Sequence, residues 1–167
     1  TAVEVPTIGF GEAISLAFSK YFKFSGRATR AEYWWFFLFV QLVSLASVVP
    51  FVGWIISLFG SLALITPHIC ISVRRLHDIG KSGWWLLLWY ASIITAWSFW
   101  SIMFFASIGG LEGSGKTETE MEAVFLGWII WAGIPVLATI TIVIWWIAWF
   151  VKKGEKGTNN YGLDPRQ

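Results

Sequence analysis

The way charge is distributed along the chain limits its fold more than any other feature. Tyr33–Val73 is a run of 41 residues without Asp, Glu, Lys or Arg; Trp84–Leu111 is a run of 28, and Ala123–Val151 a run of 29. A helix rising about 1.5 Å per residue crosses about 30 Å of hydrocarbon in roughly 20 residues, so the first run holds two spans and the others one each. The turn signal Pro50-Phe51-Val52-Gly53 divides the first run. The predicted spans are 33–49, 54–73, 84–107 and 123–150, within a membrane domain of 33–151. A segment 1–32 precedes that domain, a tail 152–167 follows it, and an acidic loop 109–122 lies between the last two spans. Charged residues are 13% of the chain, about half the ~25% usual for a soluble domain. With 13 Trp as well, a soluble protein of 167 residues could not hide so much apolar surface, which excludes an ordinary cytosolic globule. A disordered chain needs the opposite composition, and the single Cys70 excludes a disulfide scaffold. The expectation is an all-α integral membrane protein: a four-transmembrane-helix bundle with an N-terminal amphipathic interfacial helix and an ordered cytoplasmic cap.

Orientation follows from the basic residues. Lys20, Lys23, Arg27 and Arg30 precede the first span, Arg74, Arg75 and Lys81 separate the second from the third, and Lys152, Lys153, Lys156 and Arg166 follow the fourth. With four spans, these eleven of the twelve basic residues share one side. The other side has Lys116 among Glu112, Glu118, Glu120 and Glu122. Cytoplasmic loops carry the excess of Lys and Arg, so both termini are expected in the cytoplasm of a bacterial inner membrane, with the acidic loop outside. Trp34, Trp35, Trp84, Trp85, Trp145, Trp146 and Trp149 fall near the predicted cytoplasmic ends, and Trp54 and Trp128 near the outer ones, as expected of headgroup anchors.

Residues 1–32 lack the basic start, apolar core and cleavage site of a secretory signal, and Thr1 reads as the residue left after removal of an initiator Met. Phe10, Ile14, Ala17, Phe18, Tyr21 and Phe22 recur at helical spacing, opposite Glu12, Ser15, Ser19, Lys20 and Lys23. This predicts an amphipathic helix on the cytoplasmic leaflet, or one packed on a partner subunit.

No predicted span contains an acidic residue, which argues against a proton-coupled carrier. Gln41 and His68 are the intramembrane polar candidates, about 12 Å and about 9 Å from the cytoplasmic ends at 1.5 Å per residue. A hydrogen bond between antiparallel neighbours is the expectation for them. Gly53, Ser57 and Ser61 recur every four residues, a spacing that lets helices pack closely, within the chain or between copies. Pro67 and Pro135 free the carbonyls of Ala63 and Trp131.

Gly110–Thr117 formally matches the phosphate-binding loop G-x-x-x-x-G-K-[ST]. That mechanism needs a preceding strand and a helix N-terminus facing the phosphates, whereas here an apolar span precedes a loop of net charge −3. No nucleotide, nucleic acid, metal or other cofactor is expected, and no catalytic set.

The remaining polar residues fall in three stretches. Phe24–Trp34 holds Arg27, Arg30 and Glu32 at the start of a span; Arg74–Trp85 is a basic loop with His77, Asp78 and Lys81; Gly157–Pro165 is turn-rich, with Asn160, Tyr161 and Asp164. Arginine there can pair with carboxylates, helix-end carbonyls or lipid phosphate. An acid–base pair could be drawn from His77 and Asp78, but neighbours on a helix do not face each other, and a cap built on Arg75, Asp78 and Asp164 is the expected arrangement. The motifs F-x-G-R-x-x-R-x-E-[YF]-W, R-R-L-H-D-x-G-x-S-G-W-W and N-x-Y-G-x-D-P, in this order over about 20–165, resemble the family called domain of unknown function 805, small bacterial inner-membrane proteins. The chain departs from that pattern in its acidic loop at 109–122, where family members commonly have a short apolar turn. The resemblance implies a membrane protein and no reaction.

The functional expectation is therefore a non-enzymatic membrane protein that associates with itself or serves as an accessory subunit, its partners being membrane lipids and other membrane subunits. The alternatives are a passive channel or carrier using Gln41 and His68, and a headgroup-binding enzyme or sensor using Arg74, Arg75, His77 and Asp78.

Overall fold

The computed structural model describes residues 8–112 and 117–166, so Thr1 and residues 113–116 of the loop resembling a phosphate-binding motif lie outside the described residues. Among the described residues the regular structure is helical: α1 Phe10–Ser19, α2 Arg30–Leu45, α3 Gly53–Asp78, α4 Trp84–Glu112 and α5 Glu118–Val151. Four stretches, Arg30–Val48, Gly53–Asp78, Trp84–Ala106 and Gly133–Val151, are long and apolar enough to cross a membrane. The chain divides into two units, residues 1–86 with 149–167 and residues 87–148.

In the first unit, local chemistry sets each helix boundary. A capping box starts α2: the Glu32 N–H donates to Thr29 Oγ1 at 3.1 Å, and the Thr29 N–H donates to Glu32 Oε2 at 2.9 Å. A 3-10 turn, Ala46–Val48, leads into the α2–α3 connection, where Phe51 takes a positive φ of 66°. Gly53 serves there for close approach, since a Cβ on it would collide with the Ala46 carbonyl. At the other end of α3, the Gly80 N–H donates to the His77 carbonyl (3.1 Å) and the Lys81 N–H to the Leu76 carbonyl (2.9 Å), with Gly80 at φ 70°. This is a Schellman motif, closed by the residue type that enters the left-handed region without penalty.

α2 and α3 pack most closely through glycine: Gly53 meets the 3-10 turn, and a Cβ on Gly60 would stand 2.6 Å from Val43 Cγ1. Farther along the same helix Ser57 is half-buried, while Ser61 is exposed and its hydroxyl donates to the Ser57 carbonyl within the helix.

α1 packs against α2 and α3, and its Ala13 and Ala17 are fully buried. Its aromatic residues flank that contact, Phe10 against Trp35 and Phe39, Phe18 against Phe36 and Phe39. The helix thus buries its small residues and leaves Phe10 and Phe18 partly exposed. Tyr21, just beyond it, is tied to α3 twice. Its hydroxyl donates to the Ala63 carbonyl at 2.6 Å, and its carbonyl accepts from the Cys70 thiol at 3.1 Å. Ala63 is the residue whose carbonyl Pro67 leaves without a helical donor.

In the second unit, α4 and α5 carry apolar residues around their whole circumference. Trp89 and Trp146 stack at 4.9 Å, and an apolar cavity of about 210 Å³ lies between Trp97 and Trp100 of α4 and Pro135 and Thr139 of α5.

Candidate polar site at the Asp78 end of α3

Asp78, the last residue of α3, is 1% exposed and is the hub of a network that joins all three polar stretches. Its Oδ1 accepts from Arg27 Nε at 3.0 Å and Nη2 at 2.8 Å, and its Oδ2 from Arg75 Nη1 at 2.5 Å. Arg166 Nη2 stands 4.0 Å from Oδ1. A carboxylate tolerates burial when each of its oxygens accepts from a guanidinium, as Oδ1 does from Arg27 and Oδ2 from Arg75.

The two guanidiniums reach past Asp78 to the main chain. Arg75 donates through Nε and Nη2 to the Phe150 carbonyl (3.3 and 3.1 Å) and through Nη2 to that of Lys152. These carbonyls belong to the last turn of α5 and the residues after it, which have no intrahelical donor and carry the negative end of the helix dipole. Arg27 donates to the carbonyls of Gly157 (2.5 Å) and Glu155. The Glu155 N–H in turn donates to the Asp78 carbonyl at 2.8 Å, and a Cβ on Gly154 would overlap the Asp78 carboxylate. Only glycine lets the tail pass this close.

Asp164 closes the tail on itself. It accepts from Arg166 Nε (2.6 Å) and Nη2 (3.0 Å), from the Arg166 N–H (3.1 Å) and from the Gly157 N–H (3.1 Å). The Arg166 side-chain bond, aided by the two N–H donors and opposed by burial, holds the Asp164 carboxyl at about 2, below the ordinary 3.8. The same bond raises Arg166 above its usual value. Asp164 thus joins the cap through Arg166, while Arg75 answers to Asp78.

His77 and Asp78 diverge, as adjacent helix positions must. The His77 ring stacks on Tyr161 at 4.0 Å and 3°, and Nδ1 donates to the Gly26 carbonyl at 3.1 Å, which sets its tautomer. Asn159 pins the turn, donating to the His77 carbonyl and to Glu155 Oε2, both at 2.9 Å, while its own Oδ1 accepts from the Tyr161 N–H. Asn160 is exposed and makes none of these bonds.

Other sequence candidates lie outside this network. Arg30 donates to the Val151 carbonyl at 3.4 Å from an exposed position. Lys81 lies over the rings of Trp85 and Trp149, at 5.8 and 5.1 Å from their centroids. Arg74 and Glu32 form a separate buried pair, Nη1 to Oε1 at 3.6 Å, with Lys20 Nζ 3.9 Å from the same oxygen.

The hydrogen bond expected between Gln41 and His68 is not formed. His68 lies beside the rings of Tyr33 and Phe37, its Nε2 has no partner, and Gln41 is exposed. Gln41 is four residues past Phe37 along α2, roughly 6 Å at 1.5 Å per residue, so the register separates the two.

Sequence reasoning missed Gly154 and Glu155, and it gave no role to Asn159, the first position of the tail motif, or to Arg166, named only among the basic residues. A glycine shortly after a long apolar run is a readable stop signal for Gly154. The bonds that tie the other three to Arg27 and to the end of α3, from Glu155 to Arg27 and Asp78, from Asn159 to His77 and from Arg166 towards Asp78, join residues far apart in the chain, and no local pattern marks them.

A family model described as "Protein of unknown function (DUF805)" matches residues 21–117. "Inner membrane protein YhaI" of Escherichia coli K12 is 26% identical over 151 residues, covering 87% of this chain and 88% of that protein. "Inner membrane protein YhaH" is 33% identical over 84 residues, covering 44% and 69%. "Uncharacterized protein YiiR" is 29% identical over 150 residues, covering 87% of each. No solved structure matches.

Proposed function

We propose, from the premise that this chain belongs to the DUF805 family, that it is a non-enzymatic inner-membrane subunit, self-associating or accessory to a larger complex, with its termini in the cytoplasm. One observation carries the reading. The ionised groups around Asp78 are engaged with one another and with the carbonyls of Phe150, Lys152, Glu155 and Gly157, so they act as a structural clasp. A headgroup enzyme built on Arg74, Arg75, His77 and Asp78 would have to break that clasp at each turnover to free Arg75 and Asp78. A solute path needs a continuous polar line, which Gln41 and His68 do not supply. Large apolar side chains such as Leu62, Ile94, Phe105 and Leu137 are exposed and suit lipid or another helix.

The test is the mass of the assembly extracted with its lipids from native membranes, without overexpression. A uniform oligomer of this chain supports self-association, and co-isolation with other subunits at fixed ratio supports the accessory role. A lone 18.9-kDa chain at native abundance overturns both.

A further inference from the structure

We propose that Arg74 and Lys20, beside Glu32 where α1, α2 and α3 meet, form a seat for a phosphate oxyanion such as a phospholipid headgroup carries. The contrast between two adjacent arginines leads there. Arg75 meets Asp78, Phe150 and Lys152 with its donors. Arg74 is as deeply buried, 1% exposed, yet none of its three nitrogens finds a hydrogen-bond acceptor on the chain. Successive helix residues project about 100° apart at 3.6 per turn, so Arg75 faces the tail while Arg74 faces the α1–α2 junction.

The carboxylate paired with it, Glu32, has its Oε1 3.6 Å from Arg74 Nη1, and that oxygen also lacks a hydrogen-bond donor. The other oxygen, Oε2, already accepts from the Thr29 N–H. A guanidinium offers five N–H groups in a planar fork that suits the paired oxygens of a phosphate.

Charge gives the same answer. Arg74 and Lys20 against Glu32 leave one positive charge in excess, and a phosphodiester carries one negative charge. Lys20 supplies the way in: its side chain is 34% exposed and its ammonium, 3.9 Å from Glu32 Oε1, is held by no hydrogen bond. The position also fits a lipid, because Arg74 directly follows the charge-free run ending at Val73, and the nearby Phe18 and Phe22 are exposed. This site stands whether the protein assembles with itself or with others.

The experiment uses the full chain purified in a phosphorus-free detergent, titrated with phosphatidylglycerol and followed by native mass spectrometry. The wild type is expected to hold one phosphatidylglycerol more tightly than the rest, and Arg74→Gln to weaken that binding about tenfold or more. Glu32→Gln is the discriminating variant, since glutamine still completes the capping box while the competing carboxylate is gone. It should strengthen binding severalfold, whereas a purely structural Arg74–Glu32 pair would yield lower thermal stability and no gain. Lys20→Gln weakens binding, and Lys153→Gln, at an exposed position, does not. Displacement of the lipid by millimolar sodium phosphate makes the free anion the ligand; resistance makes it the lipid-borne one, and either supports the seat. Unchanged binding in Arg74→Gln, or weaker binding in Glu32→Gln, overturns it. If Arg74→Gln does not fold, Lys20→Gln and Glu32→Gln decide the matter alone.

Discussion

Asp164 shows how a single residue can make the tail's hold depend on pH. Its carboxyl titrates at about 2 in the folded protein, below the 3.8 of a free aspartate. Its stabilising contribution is therefore complete above about pH 4 and disappears as pH falls through about 2. Limited digestion with an acid-tolerant protease should cut the tail progressively faster over that window. Asp164→Asn should be cut faster at neutral pH and lose this part of the pH response, with membrane insertion unchanged; equal cleavage of both proteins would refute the assignment. At this scale the sequence was half legible. The three motif stretches named Arg27, Arg75, Asp78 and Asp164, because arginine and aspartate at the ends of apolar runs stand out. Their pairing was not legible: Arg27 and Asp78 are 51 residues apart, and Arg75 reaches carbonyls, which every residue possesses. Asn159 is the fixed first position of N-x-Y-G-x-D-P and Asn160 the variable second, a difference explained by the turn that places Asn159 Oδ1 on the Tyr161 N–H.

Among the elements, α3 offers the sharpest test, because Pro67 creates a need that Tyr21 meets. Removing the Tyr21 hydroxyl leaves the Ala63 carbonyl without a donor, so Tyr21→Phe should lower stability in detergent by about 1–3 kcal/mol. In a Pro67→Ala background residue 67 regains its N–H and can bond that carbonyl, so the same change should cost much less. Additive effects in thermal unfolding would show that the two residues act independently. The freed carbonyl was visible in the sequence; its partner was not, since Tyr21 reads equally well as part of an apolar stripe. The long helices were the most legible features, because charge is too costly at membrane depth to leave the pattern ambiguous. The apolar stripe of α1 was legible in part: Phe10, Ala17 and Phe18 belong to it and Phe10 and Phe18 meet α2, whereas the fully buried Ala13 lay outside the stripe.

For the whole molecule, the orientation proposed above can be tested from both sides of the membrane. Cys70 is fully buried, so single cysteines placed at exposed Thr117 and Lys153 can be read against a low background. A membrane-impermeant maleimide should label Thr117→Cys in intact cells and Lys153→Cys only after lysis, and the reverse pattern would invert the topology. The clasp around Asp78 also has a consequence for how the protein is made. Arg27, Arg75 and Asp78 are translated long before Gly154, Glu155, Gly157 and Arg166, the residues that complete their bonding. During synthesis the early groups must therefore wait, hydrated or held by insertion machinery, until the segment after α5 has been made. A chain cut short after α5 would leave its arginines short of main-chain acceptors, a mark by which a proteolytic quality-control system could tell an unfinished copy from a finished one.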